Sequence, residues 1–119
     1  AMAAPGNRIG DIGAAVSAVA AQHGLGVVQE YVGHGIGRAM HEEPQIPNYG
    51  TPGKGLKLKA GMAVAIEPMF NIGGPETKLL DDEWTVVTAD GSLSAHFEHT
   101  VAITPDGPRV LTAPAAVEA

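Results

Sequence analysis

The sequence predicts an α+β fold, one long helix near the start followed by antiparallel strands, and three observations carry that prediction. From about Pro5 to His23 the apolar residues recur at three- and four-residue steps. Further on, the apolar runs are rich in β-branched residues and alternate with a period of two. Between them stand Ala89-Asp90-Gly91-Ser92 and Thr104-Pro105-Asp106-Gly107, turn sequences of the kind that close hairpins.

The helix is marked by Ile9, Ile12, Val16, Val19 and Ala20, with Asn7 as candidate N-cap and Gly24 just past the end. His23 most simply serves the last helical carbonyls. Val27 to Val32 reads as a strand that delivers His34 at its end, where rigid scaffold meets free backbone. Residues Gln45 to Gly55 read as an extended loop, with Lys54, Lys57 and Lys59 solvated. In the strand Met62 to Met69, alternation puts Met62, Val64 and Ile66 on one face and Ala63, Ala65, Glu67 and Met69 on the other. Small residues thus flank Glu67, and Pro68 ends regular pairing after it. Trp84 to Thr88 and Leu93 to Thr104 read as the two arms of one hairpin, with Trp84 partly buried. In the longer arm Leu93, Ala95, Phe97, His99, Val101 and Ile103 share a face, and Glu98 lies opposite beside His96 and Thr100. The tail 113–119 has no periodicity and is expected to be disordered.

Composition narrows the function classes. A chain of 119 residues, 45% of them hydrophobic, supplies one core and one domain or part of one. A net charge of −6 with 7 Lys and Arg argues against a phosphate-binding face, so nucleic acid is not an expected direct partner. No apolar run of about 18 residues and no signal-peptide pattern supports a membrane role. The absence of cysteine removes disulfides and thiolate metal sites, and is consistent with a cytoplasmic protein.

The chemistry concentrates in Gly33 to Gly50, which packs two histidines, two carboxylates, one arginine and four glycines into one non-helical run. Glycines alternating around His34 suit a backbone that approaches something closely or takes positive φ. Glu67 and Glu98 each interrupt an apolar strand, and an isolated buried carboxylate needs a cation or must give up its charge. One histidine and two glutamates from three segments make a mixed nitrogen and oxygen donor set for a divalent metal. The plainer alternative is a surface loop with two solvated histidines. For His99 a hydrogen-bonded core histidine is the favoured reading over a metal ligand, because its face is otherwise apolar.

The motifs Gly33-His34-Gly35-Ile36-Gly37, His41-Glu42, Ile66-Glu67-Pro68 and Phe97-Glu98-His99-Thr100 closely resemble those of the type I methionine aminopeptidases, whose catalytic domain has the pita-bread fold. The resemblance runs from about Gly6 to about Thr112 and implies the C-terminal half of such a domain across residues 1–119. It implies His34, Glu67 and Glu98 as metal ligands, Glu67 also taking the water proton and Glu98 bridging two ions. It further implies His41 as the catalytic histidine, Met40 and Trp84 at the substrate, and two divalent ions per complete site, Co, Mn, Fe or Zn. The implied substrate is the N-terminal methionine of a peptide or nascent protein. An N-terminal half bearing two metal-binding aspartates and a further histidine has no counterpart here. The start at Ala1-Met2-Ala3 fits a cleavage product, a truncated chain or the second half of a longer one. The isolated chain is therefore expected to be inactive, with the missing half or a second copy as its partner. Two alternatives stand beside this one: a catalytically dead peptide-binding module of the same fold, and the aminopeptidase P and prolidase branch, disfavoured because Glu98 is followed by His99 rather than Asp.

Overall fold

The computed structural model describes residues 1–115. In order, it contains α1 (Ile9–Gln22), β1 (Gly26–Val27), β2 (Gly33–Gly35), β3 (Glu42–Ile46), β4 (Ala63–Ile66), β5 (Met69–Asn71), β6 (Thr77–Leu79), β7 (Val86–Thr88), β8 (Ser94–His96), β9 (His99–Thr104) and β10 (Gly107–Val110). The strands form a five-stranded sheet in the order β10-β9-β4-β2-β3, a three-stranded sheet β1-β5-β8 and a hairpin β6-β7. All pairings are antiparallel. The α+β class is as the sequence predicts. Of the tail 113–119, residues 116–119 lie outside the described residues and 113–115 carry no regular structure.

The helix starts one residue later than the cap assignment implied. Arg8 is the N-cap, its N–H donating to Asp11 Oδ2 at 2.7 Å, while the Asn7 amide donates to the Met2 carbonyl. The chain leaves the helix through His23 and Gly24, whose φ of 64° needs no side chain in the way. Ile12 and Ala20 are buried as expected, but Val19 is exposed. The glycine pair admits a close neighbour: a Cβ on Gly10 would stand 2.2 Å from the Thr51 carbonyl oxygen, and one on Gly13 2.1 Å from that of Tyr49. The 47–55 loop therefore lies directly on the helix backbone.

The core joins one face of the five-stranded sheet to the helix. Ile46, Leu58, Val64, Val101 and Ile103 are almost wholly buried with Ile12, and Ile9, Met62 and Ile66 pack around them. Removing each such side chain from water contributes about 1.5–3 kcal/mol. The face expected for Met62, Val64 and Ile66 is thus the core face. Met62 to Thr104 is tied further by Ile103 N–H donating to the Met62 carbonyl at 2.8 Å.

Four strand expectations are corrected, two of them for one reason. Met62 to Met69 and Leu93 to Thr104 are not single strands: each leaves one sheet and enters the other, since β4 pairs with β9 whereas β5 pairs with β8. Their breaks fall at Glu67-Pro68 and Phe97-Glu98. Of Val27 to Val32 only Val27 is strand, in β1; Val28 to Val32 connect it to β2, which begins at Gly33 and pairs with β4. The fourth correction concerns the hairpin: β7 pairs with β6, not with β8, although the turn Thr88 to Ser92 forms, with Thr88 Oγ1 donating to the Ser92 carbonyl at 2.7 Å. Part of the expected 45–55 loop is also strand, since β3 reaches Ile46.

The face phased through Leu93 to Ile103 is buried only at its far end. Val101 and Ile103 lie in the core, while Leu93 is 75% and Phe97 72% exposed. No described element packs over the β8 end of that face. Trp84 is 86% exposed instead of partly buried, because it sits at the tip of the β6-β7 hairpin, where Asp82 Oδ1 accepts from the Trp84 and Thr85 N–H groups and turns the chain outward.

Candidate metal centre

The strand β2 that carries His34 is squeezed between two neighbours. A Cβ on Gly33 would stand 2.2 Å from the Ala65 carbonyl oxygen, and one on Gly35 2.3 Å from that of Glu43. Close approach, not positive φ, is what the glycines around His34 permit. Within this frame His34 pairs opposite Ala65, two residues before Glu67. The absence of a bulky side chain at 65 leaves the imidazole room beside the end of β4.

Glu67 and Glu98 reach the same place through their shared ribbon. Ile66 stands opposite His99 and Met69 opposite His96, so the register is unchanged across the break and Glu67 falls opposite Glu98. Phe97 N–H still donates to the Pro68 carbonyl within the break, at 3.2 Å. The interruption releases both glutamates from regular pleating. His34 Nε2 then lies 3.3 Å from Glu67 Oε1 and 3.9 Å from Glu98 Oε1. The three donor atoms all lie within 4.8 Å of one another. His34 and Glu67 side chains are 13% and 14% exposed and Glu98 48%, so the cluster opens to solvent on the Glu98 side.

These residues fit a divalent ion. His34 Nδ1 is 2.8 Å from the Gly35 carbonyl, which can only accept, so Nδ1 carries the hydrogen and Nε2 is left to face the carboxylates. Two carboxylates directly opposite on an antiparallel ribbon repel each other unless a cation lies between them. Separations of 3.3 and 3.9 Å suit atoms that each stand about 2.0–2.2 Å from one ion.

His41 approaches without joining the set. Its ring centroid is 4.2 Å from that of His34, tilted by 43°. Both rings and Glu67 border a cavity of about 1150 Å³ that also runs past Met69, Tyr31 and Trp84. Met40 does not border this cavity; the bend 37–41 turns it outward, and it is 71% exposed. His99 Nδ1 is 2.9 Å from Thr112 Oγ1, so it is hydrogen-bonded as expected and stays outside the metal cluster, but it is only partly buried and not a core residue.

Two contributors escaped the sequence reading. His96 Nε2 lies 3.2 Å from Glu67 Oε2. Its alternation with Glu98 was a signal that the two share a face, but nothing local placed Glu67 across from them. Asn48, fully buried, donates from Nδ2 to the Glu67 carbonyl at 3.3 Å, and Ser17 Oγ of the helix donates to the Asn48 carbonyl at 2.8 Å. The Pro47-Asn48-Tyr49 segment reads as loop, and only its docking on the helix turns Asn48 into a prop for Glu67.

A family model described as metallopeptidase family M24 matches residues 1–105. The chain belongs to metallopeptidase family M24. This M24 chain is 58% identical over 106 residues to a methionine aminopeptidase of Clostridium perfringens, covering 89% of itself and 43% of that relative. Among solved structures, the methionine aminopeptidase of Rickettsia prowazekii superposes with a TM-score of 0.89 at 51% identity, over 92% of this chain and 44% of the other. The prolidase of Pyrococcus furiosus superposes less closely, with a TM-score of 0.62 at 25% identity, over 93% of this chain and 27% of the other. The M24 chain thus spans less than half the length of the relatives it matches and has the fold of one part of their pita-bread domain. The family is one of metallopeptidases, in keeping with the His34, Glu67 and Glu98 cluster as a candidate metal site. No helix among the described residues is long and apolar enough to cross a membrane.

Proposed function

We propose that these 119 residues are the C-terminal portion of a methionine aminopeptidase and supply half of an active site that removes the N-terminal methionine from peptides and nascent proteins. The carrying observation is the convergence of His34, Glu67 and Glu98 beside an open, largely apolar cavity with His41 at its edge. Support for this substrate comes from the methionine aminopeptidases that the chain is similar to.

In this reading His34, Glu67 and Glu98 hold divalent metal, and their nitrogen and oxygen donors suit Mn, Fe, Co or Zn. Bound divalent ions supply a nucleophile from water near neutral pH and polarise the scissile carbonyl. Glu67, enclosed and oriented, accepts the proton of the attacking water. Glu98, more open to solvent, would be a carboxylate ligand shared by the metal ions of a complete site. His41 donates a hydrogen bond to the substrate carbonyl and to the oxyanion that it becomes. Trp84, on the cavity wall, meets the substrate side chain. The reaction is cytoplasmic and needs no nucleic acid.

A chimaera tests this directly. The matching 106-residue segment of the Clostridium perfringens relative is replaced by that of this chain, and release of methionine from a Met-Ala-Ser peptide is followed with Mn²⁺ or Co²⁺. Turnover in the chimaera, and its loss in Glu67→Ala and Glu98→Ala, is expected. A folded, metal-loaded chimaera without turnover would sink the proposal.

A further inference from the structure

The Glu67 carboxylate faces two histidines. Oε1 lies 3.3 Å from His34 Nε2, and Oε2 lies 3.2 Å from His96 Nε2. His96 is the last residue of β8, paired opposite Met69 just past the break that frees Glu67. Its side chain is 47% exposed where that of Glu67 is 14% exposed, so it caps the carboxylate from the solvent side of the cavity wall. A carboxylate can only accept, so this contact is a hydrogen bond when His96 Nε2 carries the hydrogen.

A glutamate at an interrupted strand end can turn about its terminal bond and offer one oxygen, the other or both to an ion. A donor fixed on one oxygen removes that freedom. We infer that His96 is a positioning residue for metal binding: by donating from Nε2 to Glu67 Oε2 it presents Oε1 alone to a divalent cation shared with His34 and Glu98. Hydrogen bonds of this kind hold metal-ligating carboxylates in one orientation, and their loss typically costs roughly 10–100-fold in affinity. The inference rests on the reading of Glu67 as a metal ligand, and its test separates the two.

Free Mn²⁺ is measured by its electron paramagnetic resonance signal while the 119-residue chain is titrated, as wild type, His96→Ala, His96→Gln and Glu67→Gln. His96→Ala should bind about tenfold more weakly. His96→Gln, whose amide N–H can reach the same oxygen, should stay close to wild type, and Glu67→Gln should lose more than either. In parallel, ¹H–¹⁵N spectra of the His96 ring in the metal-free chain should show a hydrogen-bonded Nε2–H that disappears in Glu67→Ala, which has no acceptor at that place. The ring is half-exposed, so neither His96 variant removes core packing, and circular dichroism checks their fold. Equal affinity of wild type and His96→Ala, with Glu67→Gln impaired, would overturn the positioning role and leave the ligand set standing. His96→Gln as weak as His96→Ala, or an unprotonated Nε2, would overturn it too. Equal affinity of wild type and Glu67→Gln would remove the ligand reading, and this inference with it.

Discussion

Glu67 stands directly opposite Glu98 on one antiparallel ribbon, at the point where both strands pass from one sheet to the other. A ribbon that opposes two like charges works against its own stability, by roughly 0.2–1 kcal/mol for a cross-strand pair. Glu98→Gln should therefore raise the thermal midpoint of the metal-free chain slightly. The same change should weaken Mn²⁺ binding by roughly two orders of magnitude, the effect of taking one charged partner from a partly enclosed ion. A midpoint that falls, or an affinity that holds, would show that the two carboxylates do not share a cation.

His41 lies against the His34 ring but outside the donor cluster. In the active chimaera, His41→Ala should lower kcat by roughly 10²–10⁴-fold with metal content unchanged. Loss of metal along with activity would make it a ligand.

The isolated chain should hold at most one weakly bound ion and release no methionine. Three donors leave the rest of a coordination shell to water, and two carboxylates are too few to offset the repulsion between two adjacent ions. Exposed Trp84, Leu93, Phe97 and Ile72 should also drive self-association. A peptidase assay on purified chain, with sedimentation velocity beside it, checks both. Turnover like that of an intact enzyme, or a stable monomer, would contradict this account.

Gly33 links the fold to the site. Gly33→Ala would place a Cβ 2.2 Å from the Ala65 carbonyl oxygen, which strand pairing keeps from moving away. Overpacking of this kind costs about 1–3 kcal/mol, and here it pushes His34 off its partners. Thermal unfolding and Mn²⁺ affinity should both suffer. Native behaviour in both would mean that β2 is less confined than its neighbours imply.

Asp90 governs the acid response of the loop beside the cavity. The Ser92 hydroxyl, then the N–H groups of Gly74 and Ser92, hold its pKa below the ordinary 3.8, at about 2. A carboxyl whose folded pKa is depressed contributes stability above its unfolded pKa and loses it as pH falls through the folded one. Protection of the Gly74 amide, corrected for intrinsic exchange, should decline between about pH 4 and 2, and that in Asp90→Asn should stay flat over this range. A flat wild-type profile would exclude this role.

Local chemistry in the sequence determined a good deal by itself. The spacing of Ile9, Ile12 and Ala20 specifies a helix, and alternation through Val64 and Ile66 specifies which strand face enters the core, because each depends on neighbours a few residues apart. The same holds for Glu67 and Glu98 as lone carboxylates in apolar strands, which demand a compensating charge wherever the fold puts them. That the glycines around His34 serve close approach rather than positive φ was decided by the strands on either side of β2. Tertiary structure alone decided which strand each segment pairs with. A hydrogen-bond ladder does not record its partner in its own sequence, so β7 took β6 in place of β8, and two seemingly continuous strands were divided between two sheets. That division leaves Glu67 and Glu98 opposite each other in the break with His96 beside them, and docking of the 47–49 segment on the helix puts Asn48 against Glu67. It also left Phe97 and Trp84 exposed, since burial depends on what packs from outside the segment.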